Sequence, residues 1–196
     1  MKITKTLYVH RVKDWRAWLR KNHRKTGEIW LVYYKKDSGK PRISYNDAVD
    51  EAICFGWIDS TAKTLDRHRY CQRFSPRRKG SPCSELNKHR AIRLVREKRM
   101  TPFGLLALEG TLGPGAKVHR GTIRHTRPWK LPTDIERALR KEPGTWKNFQ
   151  RFPLTYRRIR VEWINAVRYR PEVFRTRLRH FLKMTAANKR YGMLQE

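Results

Sequence analysis

The stretch Gly27-Glu28-Ile29-Trp30-Leu31-Val32-Tyr33-Tyr34-Lys35-Lys36 decides the fold class. Ile29, Leu31 and Tyr33 alternate with Trp30, Val32 and Tyr34, and both sets are apolar or aromatic. A strand with one solvated face alternates apolar with polar residues; a strand apolar on both faces is covered on both. Turn chemistry follows at once in Asp37-Ser38-Gly39-Lys40. The chain is therefore expected to hold a sheet with at least one strand buried on two sides.

Helices and further strands flank this segment. Asp14 is placed to cap a short helix in which Trp15, Trp18 and Leu19 fall at i, i+3 and i+4. Ser44 with Asp47 resembles a capping box, opening a helix through Ala48, Ala52 and Ile53 that Gly56 can end. Trp57 to Leu65 and Arg69 to Phe74 read as strands joined near Asp66-Arg67. Ser75-Pro76-Arg77-Arg78-Lys79-Gly80 is a basic loop. Ser81-Pro82 then starts a helix to about Lys98, and Thr101-Pro102 opens a shorter one.

Gly113-Pro114-Gly115, Gly121 and Pro128 mark a linker, after which the pattern is helical throughout. Thr133 and Glu136 form a second capping box, and Trp146 and Phe149 anchor a short segment. Tyr156, Ile159, Trp163 and Val167 make an apolar stripe, with Arg157, Arg158, Arg160 and Arg168 off it. From Pro171 a last helix turns Phe174, Leu178, Phe181 and Leu182 inward. Arg175, Arg179 and Lys183 line up on it at i, i+4 and i+8. The expected architecture is α+β: a small antiparallel sheet with helices over 1–110, a linker over 111–130, and a helical C-terminal subdomain over 131–196.

Composition narrows the function. The 196 residues include 47 Lys plus Arg against 17 Asp plus Glu, a net charge of +30. Arg outnumbers Lys, 29 to 18. With 38% apolar residues the chain can bury a core, so wholesale disorder is excluded. A compact body at +30 repels itself, which implies an anionic partner. The charge is uneven: net +6 over residues 1–60, +14 over 61–130 and +10 over 131–196. No apolar run approaches the roughly 18 residues of a membrane helix, so no membrane insertion is expected. Met1-Lys2-Ile3-Thr4-Lys5 carries no apolar secretory core. Three cysteines, Cys54, Cys71 and Cys83, argue against a disulfide framework and for a reducing cytoplasm.

Several blocks together resemble the YdeI/OmpD-associated (bacteriocin-protection) family. They are Trp15-Arg16-Ala17-Trp18-Leu19, Ile29-Trp30-Leu31 with Tyr34-Lys35-Lys36, Ser44-Tyr45-Asn46-Asp47-Ala48-Val49-Asp50-Glu51-Ala52 and Cys54-Phe55-Gly56-Trp57-Ile58-Asp59-Ser60. Arg73-Phe74-Ser75-Pro76-Arg77-Arg78-Lys79 and Arg99-Met100-Thr101-Pro102 continue the likeness. Leu131-Pro132-Thr133-Asp134-Ile135, Trp163-Ile164-Asn165-Ala166 and Arg170-Pro171-Glu172 resemble the family's helical domain. The chain departs from the family pattern at Cys83, Val173 and Phe174. The resemblance implies a bacteriocin-protection or envelope-stress association, and it implies no reaction, cofactor or catalytic residue.

Three chemistries are open on the residues. Cys54 could be a nucleophile with Glu51 and Asp59 as acid or base, which makes an enzyme on an anionic small substrate conceivable beside the Arg77/Arg78 loop. The bland alternative packs Cys54 as a small hydrophobe and pairs Glu51 and Asp59 with Arg77 or Arg78. Cys71 and Cys83, flanked by His68 and His89, match no zinc spacing, and neither a metal nor another cofactor is expected.

The strongest signal is the basic surface. Arg67, Arg69 and Arg73 alternate along a strand, Arg77, Arg78 and Lys79 follow in the loop, and His89, Arg93 and Arg96 lie along a helix face. Arg175, Arg179 and Lys183 come second. Guanidinium forks suit phosphate oxygens, and exposed Trp or Tyr nearby could stack on bases. The alternative is a solvated charged surface. The helix pair joined at Tyr169-Arg170-Pro171 also admits a helix-turn-helix reading, although its turn lacks Gly. The expectation is a non-enzymatic, cytoplasmic RNA- or DNA-binding protein, in which association with a ribosome or other ribonucleoprotein fits equally well. Enzyme action and protection through protein contacts remain the alternatives.

Overall fold

A computed structural model of the chain describes residues 2–109, 118–119, 122–123 and 129–192. Two compact units are present, one of residues 1–82 and 90–124, the other of residues 83–89 and 125–196. Most of the expected 111–130 linker lies outside the described residues. Within it Val118–His119 (β5) and Thr122–Ile123 (β6) pair antiparallel.

The first unit is built on a four-stranded sheet of order β1-β2-β4-β3. β2 (Ile29–Tyr34) and β4 (Arg69–Pro76) run antiparallel in the register Ile29↔Phe74 to Tyr34↔Arg69. β3 (Trp57–Thr64) forms the hairpin with β4, and its register shifts between Asp59 and Ala62. The sheet is mixed, because β1 (Thr6–Tyr8) adds to β2 in parallel. α1 (Val12–Asn22) is the crossover that a parallel neighbour requires. Three residues are too few for an alternation to show, which is why β1 has no signature in the sequence.

The two-faced reading of β2 is borne out. Ile29, Leu31 and Tyr33 join the main core with Trp15, Leu19, Ala48, Ala52, Trp57 and Phe74. Trp30 and Val32 are buried on the opposite face with Cys71, under the partly buried Ile3 and Leu65. The Ser44 box is formed: Ser44 Oγ accepts from the Asp47 amide at 3.0 Å and opens α2 (Tyr45–Cys54). The N-terminus of α1 is capped differently from expectation. Arg11 occupies the cap position, and Asp14, already in the first turn, pairs with Arg11 Nε at 2.7 Å. α3 (Glu85–Arg96) starts after the Ser81-Pro82 site, because Ser84 Oγ takes up the Asn87 amide at 3.2 Å.

α4 (Pro102–Glu109) docks against the end of α2. The Thr101 amide and hydroxyl both donate to the Cys54 carbonyl, at 3.0 and 2.7 Å. The helix approaches so closely that a Cβ on Gly104 would lie 2.3 Å from that same oxygen. Gly56, at φ +74°, ends α2 as expected.

The second unit packs α5 (Thr133–Arg140), α6 (Pro143–Arg151), α7 (Leu154–Asn165) and α8 (Pro171–Ala186) around Ile135, Leu139, Phe149, Tyr156, Ile164 and Phe181. Two expectations fail here. Pro132 takes the cap position of α5, so Thr133 is already helical and Glu136 turns instead to Arg140 at 2.8 Å. Tyr156, Ile159 and Val167 of the expected stripe are buried, but the buried arc of α7 is wider and leaves Trp163 out. Val161 and Ile164 are fully buried and Arg160 is only 7% exposed, whereas Trp163 is 40% exposed.

Candidate functional site

Two acidic residues of the 44–60 motif serve the core. Asp50 and Glu51 are buried on α2. Asp50 accepts from Arg90 at 2.9 Å and from Arg93. Glu51 accepts from Arg16 at 2.6 Å and from Arg99 at 2.7 Å, so each oxygen holds one guanidinium. This corrects the expected pairing of Glu51 and Asp59 with Arg77 or Arg78. Asp59 instead accepts from the Tyr45 hydroxyl at 2.6 Å, while Arg77 Nη1 donates to Ser81 Oγ at 3.2 Å and to the Pro82 carbonyl at 3.1 Å. The partners of Glu51 come from α1 and from the loop after α3, which no local spacing reveals.

Cys54 is fully buried, and burial, followed by the charge of Glu51, pushes its thiol up to about 11. A nucleophilic thiol needs an exposed, electropositive setting that lowers this value. Cys54 therefore packs as a small hydrophobe, and Glu51, with both oxygens occupied, is not placed for proton transfer. Cys71 lies in the sheet's second buried face, while His68 sits at the exposed β3–β4 turn. Among the described residues no group of three His, Cys, Asp or Glu is placed to hold a metal ion.

The cations of the first unit are brought together less than expected. Arg67 lies in the β3–β4 turn, not on the strand. Arg69 and Arg73 share a face of β4, but Arg69 pairs with Asp66 at 2.7 Å and Arg73 with Glu28 at 2.6 Å. Arg93 is held by Asp50 and by Glu97. Arg78, Lys79 and Arg96 are exposed.

The second unit carries the cleaner surface. Arg175, Arg179 and Lys183 are all exposed on α8, and no carboxylate pairs with them among the described residues. Successive members rise by about 6 Å along the helix. Two further features carry no periodic signal. The Arg177 guanidinium lies over the Trp163 ring at 4.0 Å, and Tyr169 is 79% exposed. Trp163 has helical core spacing, so only its actual exposure distinguishes it. Burial, and then the neighbouring Arg170, pull the pKa of Arg177 below its usual value.

A mixed-sheet α+β unit with a buried carboxylate–arginine network, and a helical unit with a cationic face, define a two-part basic protein. Residues 7–107 match a domain of unknown function, DUF8412, and the chain belongs to that family. Residues 129–188, in the helical domain, match the family described as bacteriocin-protection, YdeI or OmpD-associated. The YdeI/OmpD label thus falls on the helical domain, and the motif-rich first half matches the domain of unknown function. No curated protein and no solved structure matches the chain significantly.

Proposed function

We propose that this family member is a non-enzymatic nucleic-acid-binding protein of the cytoplasm, holding its partner chiefly through phosphate contacts. One observation carries the reading: the row Arg175, Arg179 and Lys183 stands exposed on α8 with no carboxylate paired to it among the described residues, in a chain of net charge +30. Acidic residues elsewhere neutralise Arg16, Arg73, Arg90, Arg93 and Arg99. The cationic excess is therefore concentrated on the remaining faces, where it steers and holds a polyanion. Three unbridged cysteines support the reducing compartment.

The test is affinity for labelled single- and double-stranded oligonucleotides across a salt series. If ~6 phosphates are neutralised, the log–log slope is near −4 to −5. Salt-independent affinity, or no binding at low salt, overturns the proposal. The family description of the helical domain supports a second reading, protection through protein contacts. Partners that survive nuclease treatment in a pull-down would favour it.

A further inference from the structure

Tyr169 connects α7 to α8 and, at 79% exposed, is the most exposed large aromatic side chain among the described residues. It does not stand alone. Arg177 Nη1 donates to the Trp163 carbonyl at 2.6 Å, which pins its guanidinium over the Trp163 ring at 4.0 Å. Trp163 itself keeps 40% of its surface in solvent. Both Tyr169 and Arg170 lie within electrostatic reach of Arg177. The nearby acidic groups are weakly placed or already engaged. Glu172 stands 3.6 Å from Arg170 with both side chains more than half exposed, a geometry that binds loosely in water. Asp134 is held by Arg168 at 2.7 Å.

We propose that Tyr169, with the Trp163–Arg177 stack, forms a base-stacking platform for single-stranded nucleic acid at the α7–α8 corner. The inference rests on the nucleic-acid reading above and names its substrate class. Exposed aromatic rings gain by stacking on any base, and a guanidinium held against a ring adds positive charge beside that surface. Arg170 supplies positive charge for the backbone. A duplex hides its base faces and a sulfated polysaccharide has none, so this corner discriminates among polyanions where the α8 cations do not.

The experiment measures anisotropy with a labelled oligouridine, with its duplex on oligoadenylate, and with heparin as competitor, using the full chain. Tyr169→Ala should weaken oligouridine binding roughly 5- to 100-fold, the range of one lost stacking contact. Tyr169→Phe should retain it. Duplex and heparin affinities should be unchanged in both. Because Tyr169 is exposed, an unchanged thermal melt is expected and separates stacking from misfolding. Equal losses for all three ligands, or no loss for oligouridine, overturn the platform while leaving phosphate binding intact. Absence of any binding by the parent protein at low salt removes the underlying reading first.

Discussion

Glu51 on α2 accepts a hydrogen bond from Arg16 Nη1 of α1 at 2.6 Å, across 35 residues of chain. Arg16 Nη2 donates in turn to the Arg99 carbonyl at 3.0 Å, and Arg99 returns a guanidinium to the other oxygen of Glu51. One buried carboxylate thereby ties together α1, α2 and the loop after α3. Glu51→Gln should destabilise the protein by about 3–5 kcal/mol, because removing one partner of a buried pair strands the others. The lower end of that range, or somewhat less, is expected, since the Arg16 and Arg99 side chains are 29% and 33% exposed. The urea midpoint checks it, and an unchanged midpoint would contradict the ion-pair account.

Cys54 makes stability fall at alkaline pH. Its thiol sits at about 11 in the folded chain against an ordinary value of 9.0. Between these values the folded state holds the proton and the unfolded state loses it, so stability is full below pH 9 and declines as pH rises towards 11. Burial raises the Tyr33 and Tyr45 phenols as well, which extends the decline upward. Cys54→Ala should flatten the pH 9 to 11 segment by about 2 kcal/mol relative to the parent. Denaturant titrations at stepped pH measure the slope, and identical slopes would refute the assignment.

Gly104 is set by contact, not by backbone angle. A Cβ there would lie 2.3 Å from the Cys54 carbonyl oxygen and 2.9 Å from that of Ile53, and neither backbone atom can yield cheaply. Gly104→Ala should cost about 1–3 kcal/mol as α4 is pushed off α2. Gly144, in α6, is the matched control, because a Cβ added there would meet nothing within 4 Å. Gly144→Ala should be neutral or stabilising by up to about 1 kcal/mol. Thermal melts of the two variants should therefore separate, with only Gly104→Ala shifted clearly downward.

Cations should contribute to polyanion binding according to their internal partners. Arg73 is engaged by Glu28, whereas Arg179 has no carboxylate partner among the described residues. Arg179→Gln should lower oligonucleotide affinity at low salt and reduce the magnitude of the log–log salt slope by about 0.7–0.9. Arg73→Gln should change that slope by much less. Equal effects of the two would mean that total charge, not the α8 face, governs binding.

Local signals were legible where one short segment contained all the physics. The Ser44 cap, the β3–β4 hairpin around Asp66-Arg67, the Gly56 stop and the two-faced burial of β2 each depend on residues within a few positions of one another. The Thr133 box and the Asp14 cap show how such signals fail. Pro132 takes the cap site one residue before Thr133, and Arg11 takes it three residues before Asp14, choices that sequence spacing does not resolve. The candidate site was legible in part. The row Arg175, Arg179 and Lys183 follows from helical period alone, whereas the exposure of Trp163 and the burial of Arg160 depend on which arc of α7 the neighbouring helices cover.

Composition and short-range periodicity suffice for an α+β chain with a helical second half and a large cationic excess, and the ordered motif blocks carry the likeness to a known family. Which cations remain available is a property of the folded chain alone. With 17 Asp plus Glu against 47 Lys plus Arg, the pairing pattern selects the exposed charge, and those pairs join residues distant in sequence, such as Arg16 and Glu51 or Arg73 and Glu28. Coulomb attraction acts on distance in space, and only folding sets that distance.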